Sequence, residues 1–337
     1  MCPEFIHTMH EKKQKFFIVL YGPTAVGKTD LSLTLAQRVS AEIINMDVGQ
    51  FYTPLSIGTA KPDWRSFSTP HHFFDIINTP RDYTVSEYRN RVFETMESIW
   101  QRNNIPLLVG GSGFYLASLL FPPTETTLET QLLSRTLAQD SKFLWQELSR
   151  IDPVRAAALH PHDTYRIQRA LQIWYTTKQK PSERSTLYQP PASYLIIFLT
   201  RDRHELYARI NERVSIMMQQ GWVNEVKKLQ GSEWEPFLRK KGLIGYQELF
   251  DYIAHEQTST ALQSAIEKIQ QKTRHYAKRQ ETFWRMLEKK LSVAQMNESK
   301  AGIMAKLITI NLTIPTSDQY ISDLLSSVSP FIHGCTQ

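Results

Sequence analysis

Cysteine is almost absent from this sequence, since Cys2 and Cys335 are the only two among 337 residues. That scarcity excludes a disulfide framework and a cysteine-rich zinc module, and it suits a reducing compartment. No stretch approaches the roughly 18 apolar residues that cross a bilayer, and the N-terminus has no apolar segment of signal-peptide length. We therefore expect a soluble, cytoplasmic protein that makes no membrane contact.

A strong excess of charge is also lacking. The 39 lysines and arginines exceed the 33 aspartates and glutamates by a net charge of +6, which alone does not indicate nucleic-acid binding. Residues 1–121 carry 11 basic and 11 acidic side chains, so the whole excess lies further along the chain. Residues 265–290 contain eight basic and three acidic side chains, and a long polyanion is best accommodated there.

Short apolar runs alternate with amphipathic segments in the first part of the chain. The run FFIVLY at 16–21 ends at a glycine, as expected of a parallel strand buried on both faces. Such alternation predicts an α/β fold with a doubly wound parallel sheet. The further predicted segments are helices at 30–39 and 87–100 and strands at 43–44, 105–109, 194–199 and 307–312.

The alternation stops after residue 121. Pro122 and Pro123 open a stretch with helical patterns at 128–150, 153–159 and 163–178 and no convincing strand. We therefore predict an all-helical domain inserted into the α/β core. The expected divisions are 1–121 and 191–315 for the core, 122–190 for the insertion and 316–337 for a C-terminal helix and tail. Within the core, single helices are predicted at 204–229 and 261–290.

The sequence GPTAVGKT at 22–29 matches the G-x-x-x-x-G-K-[ST] pattern, after a predicted strand and at the start of a predicted helix. Such a loop turns its backbone N–H groups towards phosphate oxygens, and the helix adds its positive N-terminus. Lys28 can neutralise a phosphate, and Thr29 can offer its hydroxyl to Mg²⁺, which we expect as cofactor. Asp47 ends the second strand, where α/β sheets gather their ligands.

The loop does not by itself define the reaction, because kinases, hydrolases and diphosphate-releasing transferases all use one. The basic helix at 261–290 places Lys272 and Arg279 on one polar face. A solvated amphipathic helix is the ordinary interpretation, but a face with so few acidic residues favours RNA contact. From these residues alone, a small-molecule kinase and a non-catalytic RNA-binding module both remain open.

A series of longer motifs runs along residues 16–290. They are GPTAVGKT (22–29), NMDVGQFY (45–52), IGTAKP (57–62), PHHFFDI (70–76), PLLVGGSGFY (106–115), HPHDTYRIQRALQI (160–173), ERVSIMMQQGWVNEV (212–226), GLIGYQEL (242–249) and TRHYAKRQETFWR (273–285). Each motif is only moderately specific, but their order and number make the set highly specific. The set resembles the bacterial tRNA dimethylallyltransferase family.

The resemblance implies transfer of a dimethylallyl group from its diphosphate to the exocyclic amine of an adenosine next to the tRNA anticodon. The amine lone pair is delocalised, so a carboxylate should accept its proton, and Asp47 is the expected base. By the same resemblance Thr24 lies near the reacting groups and Arg213 stabilises the leaving diphosphate. Arg209 lies one helical turn from Arg213 and can face the same site. The diphosphate is expected on Gly22, Pro23, Thr24, Ala25, Val26, Gly27, Lys28 and Thr29.

The resemblance also implies that the inserted helical domain clamps the anticodon arm of tRNA, and we expect the protein to act as a monomer. An adenylate isopentenyltransferase, which shares the donor but modifies a free nucleotide, is the alternative within this chemistry. With the two basic-helix residues Lys272 and Arg279, the expected tRNA contacts are Asp47, Val48, Gly49, Gln50, Ser112, Arg135, Tyr165, Arg166, Ile167, Gln168, Arg169, Gly242, Leu243, Ile244, Gly245, Tyr246 and Gln247.

The chain departs from the family pattern at three places. Val48 stands where serine usually follows the motif acid, which removes a hydroxyl next to Asp47. Ser112 replaces the usual threonine and keeps the hydroxyl. The order Thr282-Phe283-Trp284 permutes the usual Thr-Trp-aromatic run, so the sequence alone does not define which of the two rings packs inward.

Overall fold

The computed structural model describes residues 15–122, 140–184, 187–255, 257–297, 303–313, 322 and 324–329. The chain divides into two compact units. The first unit comprises the described residues of Met1–Leu120 and Pro190–Gln337, and the helical unit those of Phe121–Gln189. The sequence placed the insertion at 122–190, within one residue of these limits.

A six-stranded, all-parallel sheet forms the centre of the first unit, which confirms the predicted α/β class. Its strands stand in the order β3-β2-β4-β1-β5-β6. The strand Phe16–Tyr21 pairs with a neighbour on each of its edges. It is buried along its whole length, as its continuous apolar run predicts. The strands are β1 (Phe16–Tyr21), β2 (Ala41–Asn45), β3 (His71–His72), β4 (Ile105–Gly110), β5 (Ser193–Thr200) and β6 (Ala305–Asn311).

Helices follow most strands and pack on the sheet. The core between α1, α7 and the strands includes Leu31, Leu35 and Ile210, together with Leu324 and Val328 from the described helical residues 324–329. The helices of the first unit are α1 (Lys28–Val39), α2 (Val85–Gln101), α3 (Gly113–Leu120), α7 (Arg203–Gln219), α8 (Trp222–Leu229), α9 (Trp234–Lys241), α10 (Tyr246–Ala254) and α11 (Ser259–Asn297).

The prediction of one helix over 204–229 is wrong, because two helices occupy this range. Helix α7 ends at Gln219, and α8 begins at Trp222 after a residue with left-handed backbone. That residue, Gly221, has φ of 96°, which costs glycine little and other residues much more. The chain therefore turns here, and the indole of Trp222 enters the interior with 1% of its surface exposed.

The helical unit contains α4 (Ser141–Ile151), α5 (Pro153–Ala157) and α6 (Thr164–Thr177). Its apolar core includes Leu144, Leu148 and Ile167. A fully buried carboxylate, Asp152, accepts hydrogen bonds from the main-chain N–H groups of Arg155 and Ser182 at 2.9 and 2.8 Å. These bonds replace the water that a buried carboxylate loses.

A second buried carboxylate lies at the amino-terminal edge of the sheet, near the start of β2. Glu42 is 2% exposed and accepts hydrogen bonds from Arg102 at 2.7 and 2.9 Å and from Asn104 at 2.9 Å, and it contacts His72. Burial alone raises the pKa of Glu42, but these partners together lower it to about 2. The cluster thus ties together the chain segments that enter β2, β3 and β4.

Within the described part of the chain, no helix is both long enough and apolar enough to cross a membrane. Even α11, with 39 residues, carries charged side chains throughout its length. We therefore find no candidate for a membrane-spanning helix in these ranges.

Candidate active site

A cavity of about 830 Å³ lies in the first unit at the carboxyl ends of β1, β2 and β4. Doubly wound sheets bind their ligands at this edge, and the volume is that of a small-molecule site. The wall includes the loop after β1, the segments after β2 and β4, helices α7 and α11, and the turn before α10.

The loop between β1 and α1 contributes an ammonium group to the cavity. Gly27, with φ of 112°, turns the chain into α1, and Lys28 is the first residue of that helix. The Nζ of Lys28 donates to the carbonyl oxygens of Gly22 and Pro23 at 2.9 and 2.8 Å, so the side chain folds back over the loop. Withdrawal from water lowers the pKa of Lys28, Asp47 opposes this shift and Arg213 adds to it, and the net result is a pKa of about 7.

The carboxylate of Asp47 faces the same cavity from the end of β2. Asp47 begins the short 3₁₀ helix Val48–Phe51, and its Oδ1 accepts a hydrogen bond from the Gly49 N–H at 3.2 Å. Its own N–H donates to Oδ1 of Asn45 at 2.9 Å. Burial raises the pKa of Asp47, whereas Lys28, the Gly49 N–H and Arg213 act in the opposite direction. A carboxylate in such surroundings has an increased affinity for a proton.

Two arginines of α7 reach the loop, as their i, i+4 spacing predicts. Arg213 donates from Nη1 to the hydroxyl of Thr24 at 3.4 Å, and Arg209 donates from Nε to the carbonyl of Ala25 at 3.0 Å. Both arginines line the cavity. Burial lowers the pKa of Arg213, because the charged guanidinium has lost water. An anion in the cavity would compensate the free-energy cost of burying this charge. Asp47, Thr24 and Arg213, the three predicted catalytic residues, therefore lie around one cavity.

The predicted diphosphate residues form the continuous loop and the start of α1. Thr24, Ala25, Gly27, Lys28 and Thr29 line the cavity. The remaining three act within the loop, since Gly22 and Pro23 accept from Lys28 and the buried Val26 accepts from Arg201 through its carbonyl at 2.8 Å.

The predicted RNA-contact residues of the first unit separate into two groups. Ten line the cavity, namely Asp47, Val48, Gly49, Gln50, Ser112, Gly242, Leu243, Ile244, Tyr246 and Arg279. The other three do not: Gln247, Gly245, which packs against the Trp222 ring, and Lys272, which forms an ion pair with the nearly buried Glu248. The Lys272 ammonium therefore already has a partner within the protein.

In the helical unit the predicted contacts fall at the start of α6. Tyr165 is 79% exposed, and Arg166 pairs with Asp163 at 3.4 Å on the surface. Gln168 and Arg169 are half-buried. Ile167 is fully buried in the core of this unit, so its side chain faces the interior, and its RNA contact stays a prediction. Arg135 lies outside the described residues.

Sequence reasoning assigned no role to three residues of α11 that reach the site. Thr273 and Tyr276 line the cavity, and Gln280 contacts the loop after β1. Burial raises the pKa of the Tyr276 hydroxyl, and the neighbouring Asp47 carboxylate raises it further. Polar atoms at three positions of an otherwise apolar face were the signal that this face covers a site.

The permuted Thr282-Phe283-Trp284 sequence places its tryptophan inward. Trp284 is 2% exposed and stacks on Phe198 at 4.8 Å between ring centroids. Phe283 instead packs on Phe114, at 5.1 Å, and beside Gly113, where an added Cβ would lie 2.2 Å from its ring. The two rings thus attach α11 to β5 and α3.

In the described part of the chain, no group of three or more His, Cys, Asp or Glu side chains could hold a metal ion. Thr29, the predicted ligand of Mg²⁺, lies exposed in the first turn of α1 and lines the cavity. The residues therefore suit a Mg²⁺ held mainly by a substrate's phosphate oxygens, which is the usual arrangement for this ion.

Fold and site together define a doubly wound α/β protein with a cationic ligand cavity at the carboxyl ends of its strands. The IPP transferase family model matches residues 50–287. The chain is 38% identical over 273 residues to the tRNA dimethylallyltransferase of Pseudothermotoga lettingae, covering 80% of this chain and 86% of that protein. It is also 38% identical to that of Bacillus subtilis over 290 residues, which cover 82% and 90%.

Solved structures agree with these relatives. The tRNA isopentenylpyrophosphate transferase of Bacillus halodurans is 30% identical, with a TM-score of 0.64 over 95% of this chain and 97% of that one. A eukaryotic dimethylallyltransferase acting on tRNA is 27% identical, with a TM-score of 0.72 over 94% and 79%. The chain belongs to the IPP transferase family, and it is a transferase enzyme. The family resemblance of the motifs is thereby confirmed.

Proposed function

We propose that the enzyme transfers a dimethylallyl group from dimethylallyl diphosphate to the exocyclic amine of an adenosine next to the tRNA anticodon, releasing diphosphate. One observation carries this proposal: the Asp47 carboxylate, the Lys28 ammonium and the Arg213 guanidinium line one cavity. This reaction needs one base, which takes a proton from the acceptor amine, and two cations, which stabilise the negative charge of the donor diphosphate. The names of the relatives indicate a dimethylallyl group as the group transferred and tRNA as the acceptor.

At the donor, the diphosphate binds in the Gly22–Thr29 loop. Negative charge accumulates on its bridging oxygen as the carbon–oxygen bond breaks, and fixed cations stabilise that charge better than mobile water does. Lys28 and Arg213 are these cations, and the Thr24 hydroxyl, which accepts a hydrogen bond from Arg213 at 3.4 Å, lines the same cavity.

At the acceptor, Asp47 removes the proton. The nitrogen–carbon bond to the dimethylallyl group forms while the carbon–oxygen bond to diphosphate breaks, and one amine proton passes to the carboxylate. The Gly49 N–H binds Oδ1 of Asp47, so we assign the proton to Oδ2. The raised pKa of Asp47 suits this role, because a more basic carboxylate accepts the proton more readily.

We propose Mg²⁺ as the cofactor, with the Thr29 hydroxyl as its protein ligand. When bound, the ion would neutralise part of the charge on the diphosphate oxygens. Lys28 and the loop would still hold the diphosphate in place, and Asp47 would still face the amine.

On the RNA side, we propose that the anticodon arm of tRNA contacts the helical unit and the exposed Arg279 of α11. The exposed Tyr165 offers a ring on which an unpaired base can stack, and single-stranded bases are the usual targets of RNA recognition. An adenine that leaves its stack can then enter the cavity, whose volume is about 830 Å³. We propose that a single copy of the chain carries out the reaction.

The test uses the purified protein with dimethylallyl diphosphate labelled in the prenyl group. Three parallel reactions contain unmodified tRNA, AMP, or ATP labelled in its γ-phosphate with candidate small-molecule acceptors. Label in tRNA, with stoichiometric diphosphate release, is the expected result. Label only in AMP identifies an adenylate isopentenyltransferase, and phosphate transfer from ATP identifies a kinase. Either outcome overturns the proposal.

A further inference from the structure

Gln280 is a buried polar residue of α11 that uses both ends of its side-chain amide. Its Oε1 accepts a hydrogen bond from the Thr24 N–H at 2.9 Å, and its Nε2 donates to the carbonyl of Gly111 at 2.9 Å. Only 4% of the residue is exposed, so water cannot replace either partner. One amide therefore bridges the loop after β1 and the loop after β4.

Two further contacts hold Gln280 in place, one at its main chain and one at its side-chain amide. The hydroxyl of Tyr21, the last residue of β1, donates to the main-chain carbonyl of Gln280 at 3.1 Å. At Gly111 an added Cβ would lie 2.0 Å from Nε2 of Gln280, so the amide occupies the space that a side chain would fill. The position of α11 along the two loops is thus set by the hydrogen bonds of Gln280 and by its close approach to Gly111.

The bond to Thr24 determines what that residue presents to the cavity. In a phosphate-binding loop, main-chain N–H groups commonly point at the ligand. Here the N–H of Thr24 is directed to Gln280, while its hydroxyl accepts from Arg213 on the cavity side. Gln280 therefore binds the main-chain N–H of Thr24, and Arg213 binds its hydroxyl. Together these two contacts fix the orientation of Thr24.

The same helix also carries residues that face the ligand. Thr273 and Tyr276 line the cavity on the turns before Gln280, and the exposed Arg279 is its direct neighbour in sequence. The side-chain amide of Gln280 would therefore transmit a displacement of α11 to the loop after β1. No other side chain of α11 has a hydrogen bond to the Gly22–Thr29 loop among the described contacts.

We propose that Gln280 is a positioning residue, which sets the Thr24 segment of the loop for the diphosphate of the prenyl donor. The inference rests on the proposed function, because it names the ligand that the loop receives. Gln280 touches neither substrate, and it acts through Thr24 and Gly111. Its loss is expected to impair donor binding and turnover while leaving tRNA binding unchanged.

The test compares the wild type with Gln280→Met, which keeps the length of the side chain and removes both hydrogen bonds. Gln280→Asn is the second variant, because it keeps the amide and shortens its reach by one methylene. Gln270→Met is the matched control, since Gln270 is a glutamine of the same helix that donates to the Asn211 carbonyl at 3.2 Å, away from the loop. Each protein is assayed for KM of dimethylallyl diphosphate, kcat, tRNA affinity and melting temperature.

For either Gln280 variant we expect KM of the donor to rise about tenfold, the effect of about one hydrogen bond, with tRNA affinity within about twofold of wild type. Gln270→Met should keep the wild-type KM even if its melting temperature falls. A donor KM within about twofold of wild type in both Gln280 variants, or an equal loss of tRNA affinity, overturns the inference. Failure of the wild type to bind the donor would instead count against the proposed function.

Discussion

The hydroxyl of Tyr246 donates a hydrogen bond of 2.9 Å to Oε1 of Glu225, and this pair joins α10 to α8. The same carboxylate accepts from the N–H groups of Ser56, Ile57 and Gly58 at 2.9, 2.7 and 3.0 Å. Four donors thus converge on one side chain from α8. Gly58 and Tyr246 both line the cavity, so Glu225 shapes its wall without entering it.

Replacing Glu225 by glutamine should therefore destabilise the protein. The new amide NH₂ cannot accept from the loop, so one or two main-chain N–H groups lose their partner. We expect the free energy of unfolding to fall by about 1–3 kcal/mol, measured by urea denaturation. The exposed residue Glu94 on α2 supplies the control, because Glu94→Gln should change stability by no more than about 0.5 kcal/mol. Equal stability of the two variants would show that the converging bonds contribute nothing.

Donor binding should weaken as the pH rises above 7. The pKa of Lys28 is about 7 in the free site, and a bound diphosphate favours the charged ammonium, so binding takes up a proton. Between about pH 7.5 and about pH 9, where phosphate groups are already ionised, we expect Kd to increase by up to about tenfold per pH unit.

Calorimetry in buffers of different ionisation enthalpy measures this proton uptake directly. Lys28→Arg is the informative variant, because a guanidinium stays charged over the whole range. Its affinity should be nearly independent of pH, whatever its absolute value. A wild-type profile as flat as that of the variant would exclude Lys28 as the titrating group.

Asp47→Asn should nearly abolish turnover while tRNA still binds. Asparagine keeps an oxygen for the Gly49 N–H but cannot accept the amine proton, so we expect kcat to fall by about 10²–10⁴-fold. In the wild type, kcat should fall as the pH drops through the raised pKa of Asp47, because the protonated acid is no base. Single-turnover transfer and filter binding separate the two effects. A variant with normal kcat would show that another group takes the proton.

Arg279→Glu should weaken tRNA binding and reduce its dependence on salt. An exposed arginine that contacts a phosphate releases about one counterion, so the slope of log K against log salt should decrease by about 1. Arg38→Glu is the control, since Arg38 is also exposed but lies in the last turn of α1, near the opposite edge of the sheet. The same loss in both variants would indicate a general effect of net charge.

Lys272→Met should lower the free energy of unfolding, and its effect should not be limited to RNA binding. Its ammonium pairs with Glu248, whose other carboxylate oxygen accepts from the Gly245 N–H at 2.9 Å. Without the lysine, a carboxylate with only 7% of its side chain exposed loses its cation. We expect a loss of about 1 kcal/mol, because half of the lysine side chain is in water. An unchanged urea midpoint would return Lys272 to a role in RNA contact only.

Local patterns predicted five of the six strands of the described sheet. The run at 16–21 forms β1 at those bounds, and the predicted strand at 105–109 extends by a single residue. Their apolar composition leaves no other place for them than a buried sheet. The two-residue strand β3 was missed, because two polar histidines carry no periodic signal, and they pair with β2 only through tertiary packing.

The candidate site was predictable where its residues follow one another in sequence. Lys28 and Thr24 belong to a loop whose spacing is itself the signal. Gln280 and Glu225 were not assigned roles, since each acts through main-chain groups more than 160 positions away in sequence. Gly221 likewise looked compatible with a continuous helix, and only its left-handed backbone shows why α7 ends there.

The two edges of the sheet hold their charges in opposite ways. At the amino-terminal edge the partners of Glu42 outweigh its burial, so its contribution to folding is complete above the ordinary glutamate pKa of 4.5 and is lost progressively as the pH falls to about 2. At the carboxyl edge Asp47 and Lys28 are each shifted towards the neutral form. At one edge an ionised acid therefore stabilises the fold near neutral pH, while at the other an anionic ligand would recover the free-energy cost of charging Lys28.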